Sequence, residues 1–146
     1  MNLPQLLIDA LVTEIKRVLP DHTVEAREPA ESELAANETV RQVFVTTEGL
    51  EPGEEFADLG ESTQLLIPVM VSCVMPRPGT VVFAAQTLRR RLKLIQAVQR
   101  VIRDFTRTHT MANLTWIQEQ PSLIEGYFVS IQGIELQFSL PAEEAL

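Results

Sequence analysis

Residues 62–107 read STQLLIPVMVSCVMPRPGTVVFAAQTLRRRLKLIQAVQRVIRDFTR, and the change of pattern inside them decides the fold. As far as Pro76 the segment is apolar and rich in β-branched residues, the composition of a long strand. Its near-continuous hydrophobicity predicts burial on both faces, and Pro68 predicts an edge position or a bulge. Pro76 and Pro78 stop the strand. From about Thr80 to Arg107 the period becomes helical, over a length of roughly 40 Å at 1.5 Å per residue.

Projected at 100° per residue, Leu88, Leu92, Ile95, Val98, Ile102 and Phe105 fall on one side of that helix. Arg89, Lys93, Gln96, Arg100, Arg103 and Arg107 fall on the other. Arg91 lies outside the basic row, within the apolar arc, and must snorkel or pair. Gln86 to Arg107 hold seven of the chain's twelve bases and one acid, Asp104, a net +6; the other five bases and nineteen acids leave −14 elsewhere. Only Asp104 offers the row a partner within the helix, to Arg100 and Arg107, and like charges stacked along a face cost a few tenths of a kcal/mol per pair. The row therefore asks for something negative opposite it, the plain alternative being a solvated helix face.

Outward from this segment, Pro4 suits a first helical turn. Leu7, Leu11, Ile15 and Val18 follow at helical spacing, with Ile8, Val12 and Leu19 widening the stripe until Pro20. HTVEARE, residues 22–28, reads as a short edge strand, and RQVFVTTE, residues 41–48, as a second strand. Between it and Ser62 the turn-rich stretch GLEPGEEFADLGE makes residues 48–62 a long acidic hairpin loop, with Glu51, Glu54, Glu55, Asp58 and Glu61 as a negative surface. Beyond the long helix and a turn at THTMAN come LTWIQEQ and SLIEGYFVSIQGIELQFSL, two strands joined near Pro121 and Ser122. In the last one Tyr127, Val129 and Ile131 share one parity and Ile134, Leu136 and Phe138 the other, a shift that a bulge at Gly133 explains. Residues 141–146 read as a frayed tail. The whole of 1–146 is expected to form a single α+β domain, a mainly antiparallel sheet with two helices packed on one face in the order helix, hairpin, long helix, hairpin.

A chain of 146 residues buries about 68–70% of its unfolded surface, enough for a core without staples. With 45% apolar and 22% charged residues, global disorder is excluded. The one cysteine, Cys73, forms no internal disulfide framework and reads as a small buried thiol. The first nineteen residues have no basic leader and are broken by Asp9, Glu14, Lys16 and Arg17, so neither a signal peptide nor a membrane span is expected there. His22 and His109 have no ligand spacing around them and read as exposed loop histidines. Ser72, Cys73 and Ser122 have no identifiable base, and neither a GxSxG turn nor a glycine-rich phosphate loop occurs. No catalytic residue, metal site or cofactor is expected, and Trp116 reads as core.

Two partner classes suit the basic row. Five cations on five phosphates would give a log–log salt slope near −4.5, a loss of roughly 500-fold between 50 and 200 mM salt, which describes weak and sequence-blind nucleic-acid binding. No aromatic residue interleaves with the arginines to stack on bases. Protein is the other class, including another copy of this chain, because basic and acidic surfaces on one molecule are what a head-to-tail contact needs.

In size, element order and charge character the chain, closing in GIELQFSL, resembles the tail terminator (tail-completion) proteins of long-tailed bacteriophages of the lambda and Mu-like sort. The resemblance implies a subunit that assembles as a homo-hexameric ring on the end of the tail tube, stops tube growth and meets the head connector or neck protein. It also implies assembly in the host cytoplasm, residence in the virion tail or neck, and DNA passing through the ring with non-specific contact. Other phage neck and minor tail proteins have similar size, and a cytoplasmic adaptor domain that binds an acidic protein is a further reading of the same residues.

Overall fold

Leu7, Leu11 and Ile15, one helical turn apart, are fully buried, and this repeat seats helix α1 (Leu3–Val18) on the sheet. The computed structural model describes residues 3–27, 42–47, 51–52, 62–76, 81–110, 112–124 and 127–141. After α1 come strands β1 (Thr23–Glu25), β2 (Gln42–Thr47), β3 (Glu51–Pro52) and β4 (Ser62–Pro76), helix α2 (Val81–Thr108), and strands β5 (Asn113–Ile124) and β6 (Tyr127–Pro141). The architecture is α+β. The strand order is β1-β2-β4-β6-β5, with β3 pairing a further part of β4. Among the described strands every pairing is antiparallel except that of β1 with β2. The short edge strand expected at 22–28 is β1, at the sheet's edge.

The long strand is interior, flanked by β2 and β6, which corrects the edge position expected from Pro68; nor is there a bulge, since β4 and β6 stay in register over their whole length. The proline is tolerated because it falls between partners on the other flank, after the β2 pairing ends at Thr47↔Val69 and before the β3 pairing at Glu51↔Leu66. Burial on both faces is also corrected. Ile67, Val69, Val71, Cys73 and Met75 face the helices and are buried, while Leu66, Pro68, Met70 and Ser72 on the reverse face are half-buried. Val74 joins Phe44, Val129 and the partly buried Ile131 in a smaller cluster on that reverse face. The principal core joins both helices to the opposite face through Leu7, Leu11, Ile15, Val43, Leu94, Val98 and Ile134, so the two helices share one side of the sheet.

At Gly133 the reading is half right. The apolar residues do change faces there, with Val129 in the small cluster and Ile134 and Leu136 in the main core. The strand itself is continuous, however, and the irregularity lies on β5 between Trp116 and Gln118, opposite Gly133. Ile117 is the extra residue, and its Cβ lies 3.7 Å from the position a Cβ on Gly133 would take. The faces change because Ser130 and Gln132, both fully buried, occupy the helix side of β6. The break expected near Pro121 is also displaced, since β5 runs on to Ile124. As an edge strand it leaves one side unpaired, where a missing N–H costs no ladder bond.

Candidate functional site

Helix α2 lies over the sheet with α1 on one flank and β5 on the other. Its buried stripe is Thr87, Leu94, Ala97, Val98, Val101 and Phe105, rotated from the expected apolar arc. Leu88 and Leu92, expected inside, are 50% and 51% exposed. The rotation follows from the RRR triplet. Arg90 and Arg91 flank the buried stripe, half-buried and compensated by acids far away in sequence, so the stripe is turned away from Leu88 and Leu92.

Arg90 donates from Nη1 to Asp21 Oδ1 at 2.9 Å and lies 2.8 Å through Nη2 from Oδ2. This pairing holds the Asp21 carboxyl down at about 2, against the smaller opposing effect of burial. Arg91 grips Glu119 of β5 with two bonds, Nε to Oε2 at 2.6 Å and Nη2 to Oε1 at 2.7 Å. The guanidinium holds the Glu119 carboxyl below its usual range, and the buried Ser130 hydroxyl adds a bond to Oε2 at 2.7 Å. Beside this network the Trp116 indole donates to Gln132 Oε1 at 2.9 Å, so Trp116 packs against the core as expected and is tied there. Arg100 reaches back to Glu14 of α1 at 2.7 Å. Hydrogen bonding to Arg17 first, then to Arg100, lowers the Glu14 carboxyl despite its partial burial.

All six members of the expected row, Arg89, Lys93, Gln96, Arg100, Arg103 and Arg107, are exposed on α2. They do not form one uniform charge. Arg100 is spent on Glu14, and Arg103 contacts its neighbour Asp104 at 3.4 Å. Arg89, Lys93 and Arg107 have no ion pair among the described residues. The idea that Asp104 would serve Arg100 and Arg107 is thereby corrected, because α1 supplies a nearer acid to the first and Asp104 turns to Arg103. In the acidic loop Glu51 is placed by its backbone only, paired with Leu66, and Glu54, Glu55, Asp58 and Glu61 lie outside the described residues. The acids that matter to the helix, Glu14, Asp21 and Glu119, were missed. Arg91 gave the one available signal, a cation on the wrong side of the helix.

Among the described residues two clefts border α2. One, of about 490 Å³, lies against the α1–β1 turn and is lined by Val18, Leu19, Pro20, Asp21, Arg89, Arg90 and Lys93. The other, of about 470 Å³, is a groove between α1 and the C-terminal half of α2. Leu6, Ala10, Val101 and Phe105 supply its apolar lining, with Asp9 and Asp104 among its polar residues. His109 stands in this groove half-buried, its ring 4.5 Å from that of Phe105. His22 is buried too, with Nδ1 3.9 Å from Cys73 Sγ. Neither is the exposed loop histidine expected, because His22 is buried beside Cys73 of the interior strand β4 and His109 packs on Phe105. Cys73 thus does have a base beside it, but burial pushes its thiol up to about 12, so it stays protonated in the folded protein. Among the described residues there is no group of three or more metal-binding side chains, and no helix is long and apolar enough to cross a membrane.

No family model and no curated protein matches the chain. Among solved structures it is similar to a chain in the virion of a native gene transfer agent (GTA) particle, at 10% identity over 91% of this chain and 94% of that one, with a TM-score of 0.48. An identity and a TM-score that low give the likeness no weight for function.

Proposed function

We propose that this protein is a structural assembly subunit of a virion, which acts by docking the exposed side of α2 on a protein surface. More narrowly, we propose a tail terminator that forms a ring, caps the tail tube and joins it to the head connector. The observation that carries the reading is the row Arg89, Lys93 and Arg107, exposed and without ion pairs among the described residues, on a chain whose net charge is −8. Its mechanism would be geometric. One face of the ring would match the tube, and the other would lack the tube's self-propagating surface, so that addition of subunits ends.

The charge count favours protein over nucleic acid as the main partner. With three cations outside any ion pair among the described residues, the expected salt slope for DNA is about −2.7, a change of only about 40-fold between 50 and 200 mM salt. DNA in the lumen would therefore be touched loosely, and no catalysis is proposed. The test is light scattering and electron microscopy of the purified protein with and without tail tubes. Closed rings, or tubes capped and halted in growth, are expected. A strictly monomeric protein that never caps tubes would sink the reading. Reversal by Arg89→Glu with Lys93→Glu should abolish capping and leave the fold intact.

A further inference from the structure

Leu88 and Leu92 are one helical turn apart, each about half exposed, and Arg89 and Lys93 stand beside them. Together they make an apolar ridge with a cationic border at the N-terminal half of α2. The groove between α1 and the C-terminal half of α2 has the reverse character. It is lined by apolar groups that include Leu6, itself 39% exposed, and by three acids, Asp9, Glu14 and Asp104. Of the charges there, Glu14 and Arg100 neutralise one another. Asp9 is bonded to the neutral Gln5 at 2.9 Å, and among the described residues the Asp104 carboxylate is bonded to the exposed Arg103 at 3.4 Å.

We infer that the ridge of Leu88 and Leu92 on one copy of this chain seats in the α1/α2 groove of the next copy, with Arg89 and Lys93 meeting Asp9 and Asp104 across the contact. Two features select a second copy as the occupant. The charges match in sign and number, and both halves of the match belong to the same molecule. The two surfaces also cannot meet by a two-fold axis through the ridge. Leu88 and Leu92 lie roughly 160° and 120° around the helix from Asp104, so the leucine ridge and the groove face different ways, while Lys93 stands only about 20° around from Asp104 and roughly 16 Å along the axis. A contact between such patches is head-to-tail, leaves a free ridge and a free groove at the ends, and closes only when the subunit rotation completes a ring. The inference rests on the ring reading above and adds which surfaces meet.

Site-specific cross-linking of the full chain at high protein concentration tests it. Leu92→Cys and Thr13→Cys, the second on the groove, are made separately, with Cys73 left in place because it is sealed in the core. Oxidation of the mixture should give an intermolecular disulfide that neither variant forms alone. Dimers from Leu92→Cys alone would overturn the inference in favour of a symmetric contact, and no disulfide in the mixture would overturn it too. Light scattering separates the two levels. Rings without the mixed disulfide retain the assembly role and reject this contact, whereas monomers under every condition reject both. In a second arm, Leu88→Asp and Leu92→Asp should each weaken association by about tenfold or more while Trp116 fluorescence reports an unchanged fold. Asp104→Lys should weaken association, and Lys93→Glu should partly restore it; equal association in all three proteins would overturn the pairing.

Discussion

Arg89 and Arg91 are two residues apart on the same helix, yet they belong to different regimes. Arg91 is three-quarters buried and held by a bidentate bond to a Glu119 side chain that is only 9% exposed. Arg89 is exposed, with no ion pair among the described residues. The difference shows that the helix does not present its charge as one face. Cations on the two flanks are matched by acids from α1, the α1–β1 turn and β5, and they fix how the helix is rolled on the sheet. Arg89, Lys93 and Arg107 on the outer row have no ion pair among the described residues. Leucines divide in the same way, Leu94 fully buried and Leu92 half exposed on opposite sides of one turn.

The largest effect should come from breaking that division at the leucines. Leu94→Ala empties a fully buried site and should cost about 2–5 kcal/mol, whereas Leu92→Ala should stay within about 0.5 kcal/mol and show its effect in association. Urea titration followed by the single tryptophan, Trp116, measures both. Comparable losses would mean that the roll of the helix is misassigned. Next in size is the arginine contrast. Arg91→Ala strands a nearly buried carboxylate and should cost about 1–3 kcal/mol, with Arg89→Ala near zero. Glu119→Gln, which keeps an acceptor for Ser130, should be milder than Arg91→Ala. If it proves equally damaging, the charge of Glu119 contributes to the fold beyond satisfying its neighbours.

Much of this contrast was out of reach of the sequence, for a physical reason. Strand and helix limits are local, so β4 and α2 were legible almost to the residue from branched side chains, prolines and period. Side-of-helix assignments were legible only where residues carry one tendency, as Val98 and Phe105 do. Arginine carries two, an apolar stem and a charge, and its side depends on acids 69 residues away for Arg90, 28 for Arg91 and 86 for Arg100. Nothing local encodes those distances. The same holds for Gly133, where the sequence marked the irregular place and the pairing partner carried the extra residue. The outer row was legible because exposure of a cation needs no partner.

The smallest effect separates the regimes by pH. The Asp21 carboxyl lies at about 2 when folded, against an ordinary value of 3.8, because Arg90 stabilises its charged form. A carboxylate depressed in the folded state adds stability that is complete above the unfolded value and disappears as the pH falls toward the folded one. The Arg90–Asp21 contribution should therefore be constant from neutral pH to about 4 and vanish between about 4 and about 2. With Asp21 42% exposed, solvent screening limits it to about 0–1 kcal/mol. In urea titrations Asp21→Asn should fall slightly below the parent protein above pH 4 and converge with it as the pH approaches 2. Arg89→Ala, one residue from Arg90 and outside any ion pair among the described residues, should track the parent throughout that window. A gap between Asp21→Asn and parent that persists unchanged to pH 2 would show that the side chain acts through hydrogen bonding or packing alone, and the division between spent and available cations would then need a basis other than charge.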